Sequence, residues 1–106
     1  MHDRDLFANA AGGVRLHEPA ADAAILAAIA SSMLDKAVPA DTMLVGEVGL
    51  VGELRAVSHP RLRLKEASRH GFRRVFGPAS MAEDPPPGVT VISARTVPEL
   101  LDRLFG

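Results

Sequence analysis

The 106-residue sequence has no cysteine, no tryptophan, no tyrosine and only four phenylalanines. Without cysteine, disulfides and thiolate metal sites are excluded, which is compatible with a cytoplasmic location. So few aromatics argue against a platform that stacks single-stranded bases. No run approaches the roughly 18 uninterrupted apolar residues that a membrane span needs. The opening MHDRDLF has neither a basic stretch leading into an apolar core nor a small-residue cleavage site, so nothing points to secretion or to a membrane. No glycine is followed by lysine, which removes the nucleotide phosphate loop ending in Gly-Lys-Ser/Thr.

The length suits one domain covering residues 1–106, able to bury very roughly 65% of its unfolded surface. The formal net charge of -1 conceals an asymmetry. Residues 1–51 hold 3 Lys/Arg against 7 Asp/Glu, and residues 75–106 hold 2 against 4. Residues 52–74 hold 7 cations against Glu53 and Glu66, a local net of +5. Such a block is a candidate footprint for phosphates, although a solvated helix face is the commoner cause of a charge run.

Residues 6–9 and 14–16 flank Gly12-Gly13 and read as two short strands around a tight turn. From Pro19 to about residue 34 there is no internal glycine or further proline, and alanine, leucine and isoleucine dominate. That composition predicts a helix that is apolar nearly all round and therefore buried. Residues 43–48 and 50–57 read as strands, with Gly46, Gly49 and Gly52 marking bulges or close backbone approach. Ser58 is placed to cap a helix over residues 60–70, with Pro60 in its first turn and Gly71 as its stop. Residues 74–76 and 89–92 read as further strands, separated by an exposed loop at EDPPPG, and Thr96 with Glu99 has capping-box spacing for a last helix over 97–104. The predicted class is α/β (α+β), in two layers.

The histidines are His2, His17, His59 and His70, and they read as surface imidazoles. His59 and His70 bracket one helix about 16 Å apart, too far to share an ion with bonds near 2 Å. Serines at 31 and 32 lie near a helix end, where a hydroxyl usually bonds back to the carbonyl four residues earlier. Lys65 has Arg61 and Arg69 as i±4 neighbours, so it belongs to a charged stripe and not to a desolvated Ser-Lys dyad. With Arg61 at 0°, Lys65 falls at 40° and Arg69 at 80°, while Pro60, Leu64 and Ala67 fall between about 240° and 300°. One face is basic and the other can pack. The candidate nucleic-acid contacts are Arg55, Arg61, Arg63, Lys65, Arg69, Arg73 and Arg74.

The pieces AGGVRLHEPAADAAILAAIASS, VPADTMLVGEVGL and GEVGLVGELRAVSHPRLRLKEASRHGFRRVFGP together resemble the C-terminal Lon-protease-like domain of bacterial RadA/Sms DNA repair proteins. The resemblance runs from about residue 5 to the end. It implies a Lon proteolytic-domain-like, ribosomal-protein-S5 domain-2-like fold, excised from a longer hexamer-forming repair ATPase, with Met1 as an added start. It also implies DNA and further copies of the chain as partners, with RecA as a third. ATP, magnesium and zinc would belong to preceding parts, and no cofactor is expected in this domain. Lon peptidases carry a serine opening a helix and a lysine at the start of a later one. Laid over this sequence, those positions fall on Ala20 and at or near Arg61. Alanine supplies no nucleophile and arginine no base. The resemblance therefore implies a non-proteolytic domain contributing DNA binding and ring assembly. A different reading makes it an oligomerisation module, its basic helix pairing with Asp3, Asp5, Glu83 or Asp84 of the next subunit. A third keeps a residual peptidase using Ser31 or Ser32, and the Lon-like domain of magnesium-chelatase-related ATPases is a neighbouring possibility.

Overall fold

Pro19 has no N–H to leave unpaired, and it opens a 3-10 turn, Pro19–Ala21, that runs directly into helix α1, Asp22–Leu34. The computed structural model describes residues 18–106. The expected strands at 6–9 and 14–16, the Gly12-Gly13 turn, and His2, Asp3, Asp5 and His17 lie outside the described residues. Asp35 ends α1 in the left-handed conformation, φ 56°.

Strands β1 (Thr42–Leu44), β4 (Arg74–Gly77) and β5 (Thr90–Ser93) form a parallel sheet in the order β1-β4-β5. Strands β2 (Glu47–Val48) and β3 (Leu54–Arg55) form a separate antiparallel hairpin. Helix α2 spans Pro60–Arg69 and α3 spans Val97–Phe105. Side chains alternate along each strand, so the sheet presents two apolar faces. Met43, Val75 and Val91 pack with Leu64 and Ala67 of α2, and Leu44, Phe76 and Ile92 pack with Ala23 of α1 and Leu100 and Leu104 of α3. The α/β class is as expected, and the layering is fuller than expected. A parallel sheet must be covered on both faces, and here α2 takes one while α1 and α3 take the other.

The run 43–48 is divided between two sheets. Val45 N–H donates to Phe76 O at 2.9 Å, the last bond to the parallel sheet, and Gly46 N–H donates to Ala20 O at 2.8 Å. A Cβ at Gly46 would stand 3.0 Å from Leu54 Cδ2, so only glycine passes there without displacing a neighbour. The expected strand at 50–57 is likewise shortened, because residues 50–52 make the hairpin turn. Gly52 has φ 84° and donates to Gly49 O at 3.0 Å. Glu53 fixes this turn by accepting from Val51 N–H at 3.2 Å, and a Cβ on Gly49 would collide with its carboxylate.

Three local expectations are corrected. α1 is not buried all round: Ala23 and Ala27 face the core, but Met33 and Leu34 are exposed. A helix of uniformly apolar composition has no strong side, and the small residues are the ones that allow close approach to the neighbouring packing. Ser58 does not cap α2; His59 occupies the cap with φ 52° and no side-chain cap bond. Ser58 is used instead by Arg63. Thr96 caps α3 by accepting from Glu99 N–H at 3.3 Å, but Glu99 reaches back to Arg95 N–H at 2.6 Å, one residue beyond the expected box.

Phe76 is 1% exposed at the centre of the sheet. Phe76→Ala is expected to cost about 3–5 kcal/mol in urea denaturation; a loss under about 1 kcal/mol would contradict its central packing. The Glu53 carboxyl is held below the ordinary glutamate value, chiefly by its own backbone N–H, with Val51 N–H and Arg55 adding and desolvation opposing. A lowered folded value means that its stabilisation is complete above the unfolded value and fades as pH falls through the folded one. Thermal melts across the acid range should therefore show a flatter acid limb for Glu53→Gln than for the parent chain.

Candidate nucleic-acid interface

The sequence PRLRLKEASR forms α2 with Leu64 and Ala67, each 1% exposed, turned to the sheet. Helical spacing then places Arg61, Lys65 and Arg69 together on the outer side, spanning about 12 Å along the axis. All three are exposed. The expected division of this helix into a basic and a packing face is present.

The seven candidate cations are not equivalent. Arg63 is half-buried and committed to the fold: Nε donates to Ser58 O at 2.7 Å, while Nη2 donates to Ser58 Oγ at 3.2 Å and meets Glu18 Oε1 at 3.1 Å. Arg55 lies between Glu53 at 3.2 Å and Glu47 at 3.7 Å. Arg74 donates to Thr42 Oγ1 at 3.2 Å and sits 5.7 Å from the Phe76 ring centroid. Arg69 meets Glu66 at 2.9 Å, but both side chains are well exposed, so the pair is worth little and leaves the guanidinium accessible. His70 approaches the same carboxylate at 3.5 Å. Arg61, Lys65 and Arg73 have no ion-pair or side-chain hydrogen-bond partner among the described residues. The sequence treats the block as one footprint, whereas packing engages Arg55, Arg63 and Arg74 with neighbours that the charge pattern alone does not reveal.

The turn before α1 meets this helix. Ala20, 6% exposed, belongs to the same apolar cluster as Leu64 and Ala67, and the Glu18–Arg63 pair bridges the two elements. The turn thus supplies a methyl group packed in the core. Ser31 Oγ donates to Lys36 O and not to the carbonyl four residues earlier, a correction to the helical expectation, because the left-handed Asp35 turns Lys36 O back toward it. Lys36 Nζ is turned away to Phe105 O, 3.2 Å. His59 and His70 are exposed at opposite ends of α2, and no group of three or more His, Asp or Glu is gathered among the described residues. Glu83 and Asp84 lie in an exposed loop after the 3-10 turn Ala79–Ala82. None of the described helices is long and apolar enough to cross a membrane.

The parallel sheet is covered by helices on both faces, and the hairpin β2–β3 stands between β1 and α2 in the chain. Residues 7–94 match the Lon protease (S16) C-terminal proteolytic domain, and the chain belongs to that family. Within it, the chain is a Lon-like C-terminal domain of the RadA kind. It is 43% identical over 105 residues to the DNA repair protein RadA of Pseudomonas aeruginosa, which covers 98% of this chain and 23% of that protein. It is 45% identical over 103 residues to RadA of Aquifex aeolicus (97% and 23%), and 37% identical over 107 residues to RadA of Streptococcus pyogenes (99% and 24%). The chain spans about a quarter of the length of the curated relatives it matches.

The Arg63 clasp is expected to act through geometry more than through charge. A double-mutant cycle of Glu18→Gln with Arg63→Met should give a coupling under about 1 kcal/mol. Arg63→Met alone should cost about 1–3 kcal/mol, because Ser58 loses its donors. Equal losses from the two single variants would show that the ion pair alone carries the clasp.

Proposed function

We propose that this chain is a non-proteolytic Lon-like domain of a RadA-type DNA repair and recombination protein, contributing DNA binding and self-assembly. The observation that carries the DNA-binding part is the exposed side of α2. Arg61 and Lys65 stand one turn apart without a protein partner among the described residues, Arg69 continues the row, and Arg73 follows. Cations held out by a rigid helix attract phosphates without reading bases. Arg55, Arg63 and Arg74 have structural partners and are assigned a supporting role.

The absence of peptidase activity rests on Ala20 and Arg61 standing where the Lon pattern has serine and lysine. The self-assembly part is supported by exposed apolar side chains, Leu50, Val51, Met33 and Leu34. The parent protein would be a cytoplasmic, DNA-dependent ATPase working as a homo-hexamer with RecA, its ATP, magnesium and zinc bound outside this domain.

With three unpartnered cations, affinity for DNA should fall with salt at a logarithmic slope of about -2 to -3. Arg61→Glu with Lys65→Glu should weaken binding of duplex and single-stranded oligonucleotides by at least tenfold at low salt and flatten that slope by about 2. Fluorescence anisotropy over a salt series reads both. Unchanged affinity with an intact fold would remove α2 from the interface.

A further inference from the structure

Helix α2 carries one carboxylate among its cations, and two groups share it. Arg69 Nη1 meets Glu66 Oε2 at 2.9 Å, and His70 Nε2 lies 3.5 Å from the other oxygen, Oε1. Residues three and four apart are neighbours on a helix, so Glu66 reaches Arg69 at i+3 and His70 at i+4. All three side chains are exposed, and they end the row that Arg61 and Lys65 begin. Arg73 follows just beyond the turn at Gly71.

The charge at this end of the helix depends on the imidazole. With His70 neutral, Glu66 cancels Arg69 and the three groups sum to zero; with His70 protonated they sum to +1. Histidine is the side chain that ordinarily changes charge between pH 5 and 8, while the phosphates of nucleic acid stay ionised throughout that interval. Among the described residues Glu66 is the one carboxylate paired with His70. On the elements packed against α2, Glu18 is taken by Arg63, and Arg74 by Thr42 and the Phe76 ring. Asp41 accepts from the Thr42 hydroxyl, and Glu83 stands in the exposed loop after Ala79–Ala82. His59, at the far end of α2, has no ion-pair partner among the described residues.

We propose that Glu66 and His70 make the α2 phosphate surface responsive to pH, a regulation that rests on the reading of α2 as the DNA-contacting face. Above the histidine range Glu66 neutralises Arg69. Protonated His70 supplies the same carboxylate with a second cation, and one positive charge returns to the row. The direction follows from the charges: affinity for DNA rises as pH falls, because one further cation neutralises one further phosphate and steepens the logarithmic salt slope by about 1. Binding and protonation are reciprocal, so formation of the DNA complex takes up protons near neutral pH.

Fluorescence anisotropy of the 106-residue chain with one duplex oligonucleotide at low salt, at about pH 8 and about pH 6, tests this. The parent should bind at least about threefold more tightly at the lower pH, with the steeper salt slope. His70→Gln should bring that ratio close to unity. His59→Asn, asparagine being suited to the left-handed backbone there, should keep it. His70→Lys should hold DNA at the higher pH as tightly as the parent does at the lower, and Glu66→Gln, which frees Arg69, should tighten binding at the higher pH. Thermal melts at both pH values check that each variant is folded. A parent that binds equally at both, a His70→Gln chain that keeps the ratio, or a His59→Asn chain that loses it overturns the role of His70 and leaves α2 as the DNA surface. If Arg61→Glu with Lys65→Glu leaves affinity unchanged, α2 is not that surface and the regulation falls with it.

Discussion

The structure depends on how the chain leaves β1. Val45 makes its last bond to the sheet through Phe76 O, and the next residue, Gly46, exchanges backbone bonds with the start of α1: its N–H goes to Ala20 O, and its carbonyl receives Ala23 N–H at 3.0 Å. Sheet, turn and helix are thereby joined within two residues. The Ala23 N–H and the Gly46 N–H are satisfied by one strand exit, where a helix start would otherwise leave donors without partners. Everything downstream is placed by this junction. It turns the chain out of the parallel sheet, sets the β2–β3 hairpin against the first turn of α1, and sends the chain back to α2 on the opposite face.

The same junction explains why the turn at Glu18, Pro19 and Ala20 is retained as packing. Ala20 is small enough to lie in the cluster with Leu64 and Val45, and its carbonyl is the acceptor that Gly46 needs. Glu18 then reaches across to Arg63. A guanidinium bonded to a carbonyl, a hydroxyl and a carboxylate is a brace, and it fixes the start of α2. The exposed cations two residues before and two residues after it, Arg61 and Lys65, are consequently presented by a held helix.

Much of this is legible in the sequence where one local rule acts alone. The helix at Pro60–Arg69, with Leu64 and Ala67 inward, follows from periodicity; the stop at Gly71 follows from its φ of 84°, and the Thr96 cap from side-chain chemistry. The misreadings occur where two rules compete. Residues 43–48 have strand composition throughout, and only the backbone bonds of Gly46 to Ala20 and Ala23, in place of the sheet, show that the strand breaks there. Leu50 and Val51 have strong strand propensity, yet the flanking Gly49 and Gly52 and the Glu53 carboxylate make them a turn. Glycine on both sides of an aliphatic pair was the available signal. The division of the arginines into braced and free had no such signal, since Glu18 and Arg63 are 45 residues apart and only the fold brings them together.

Contacts between α2 and phosphates, as proposed, would gain free energy by releasing counterions and so would weaken steeply as salt rises. What holds the helix is of another kind. Leu64 and Ala67 are buried in apolar area against the sheet, which salt screening does not touch and which excluded salts strengthen. The Glu18–Arg63 pair is partly exposed and screened, but Arg63 keeps its bonds to Ser58 whatever the ionic strength. The packing side and the basic side of α2 therefore respond to salt in opposite directions, so a loss of binding at high salt would not be a loss of fold.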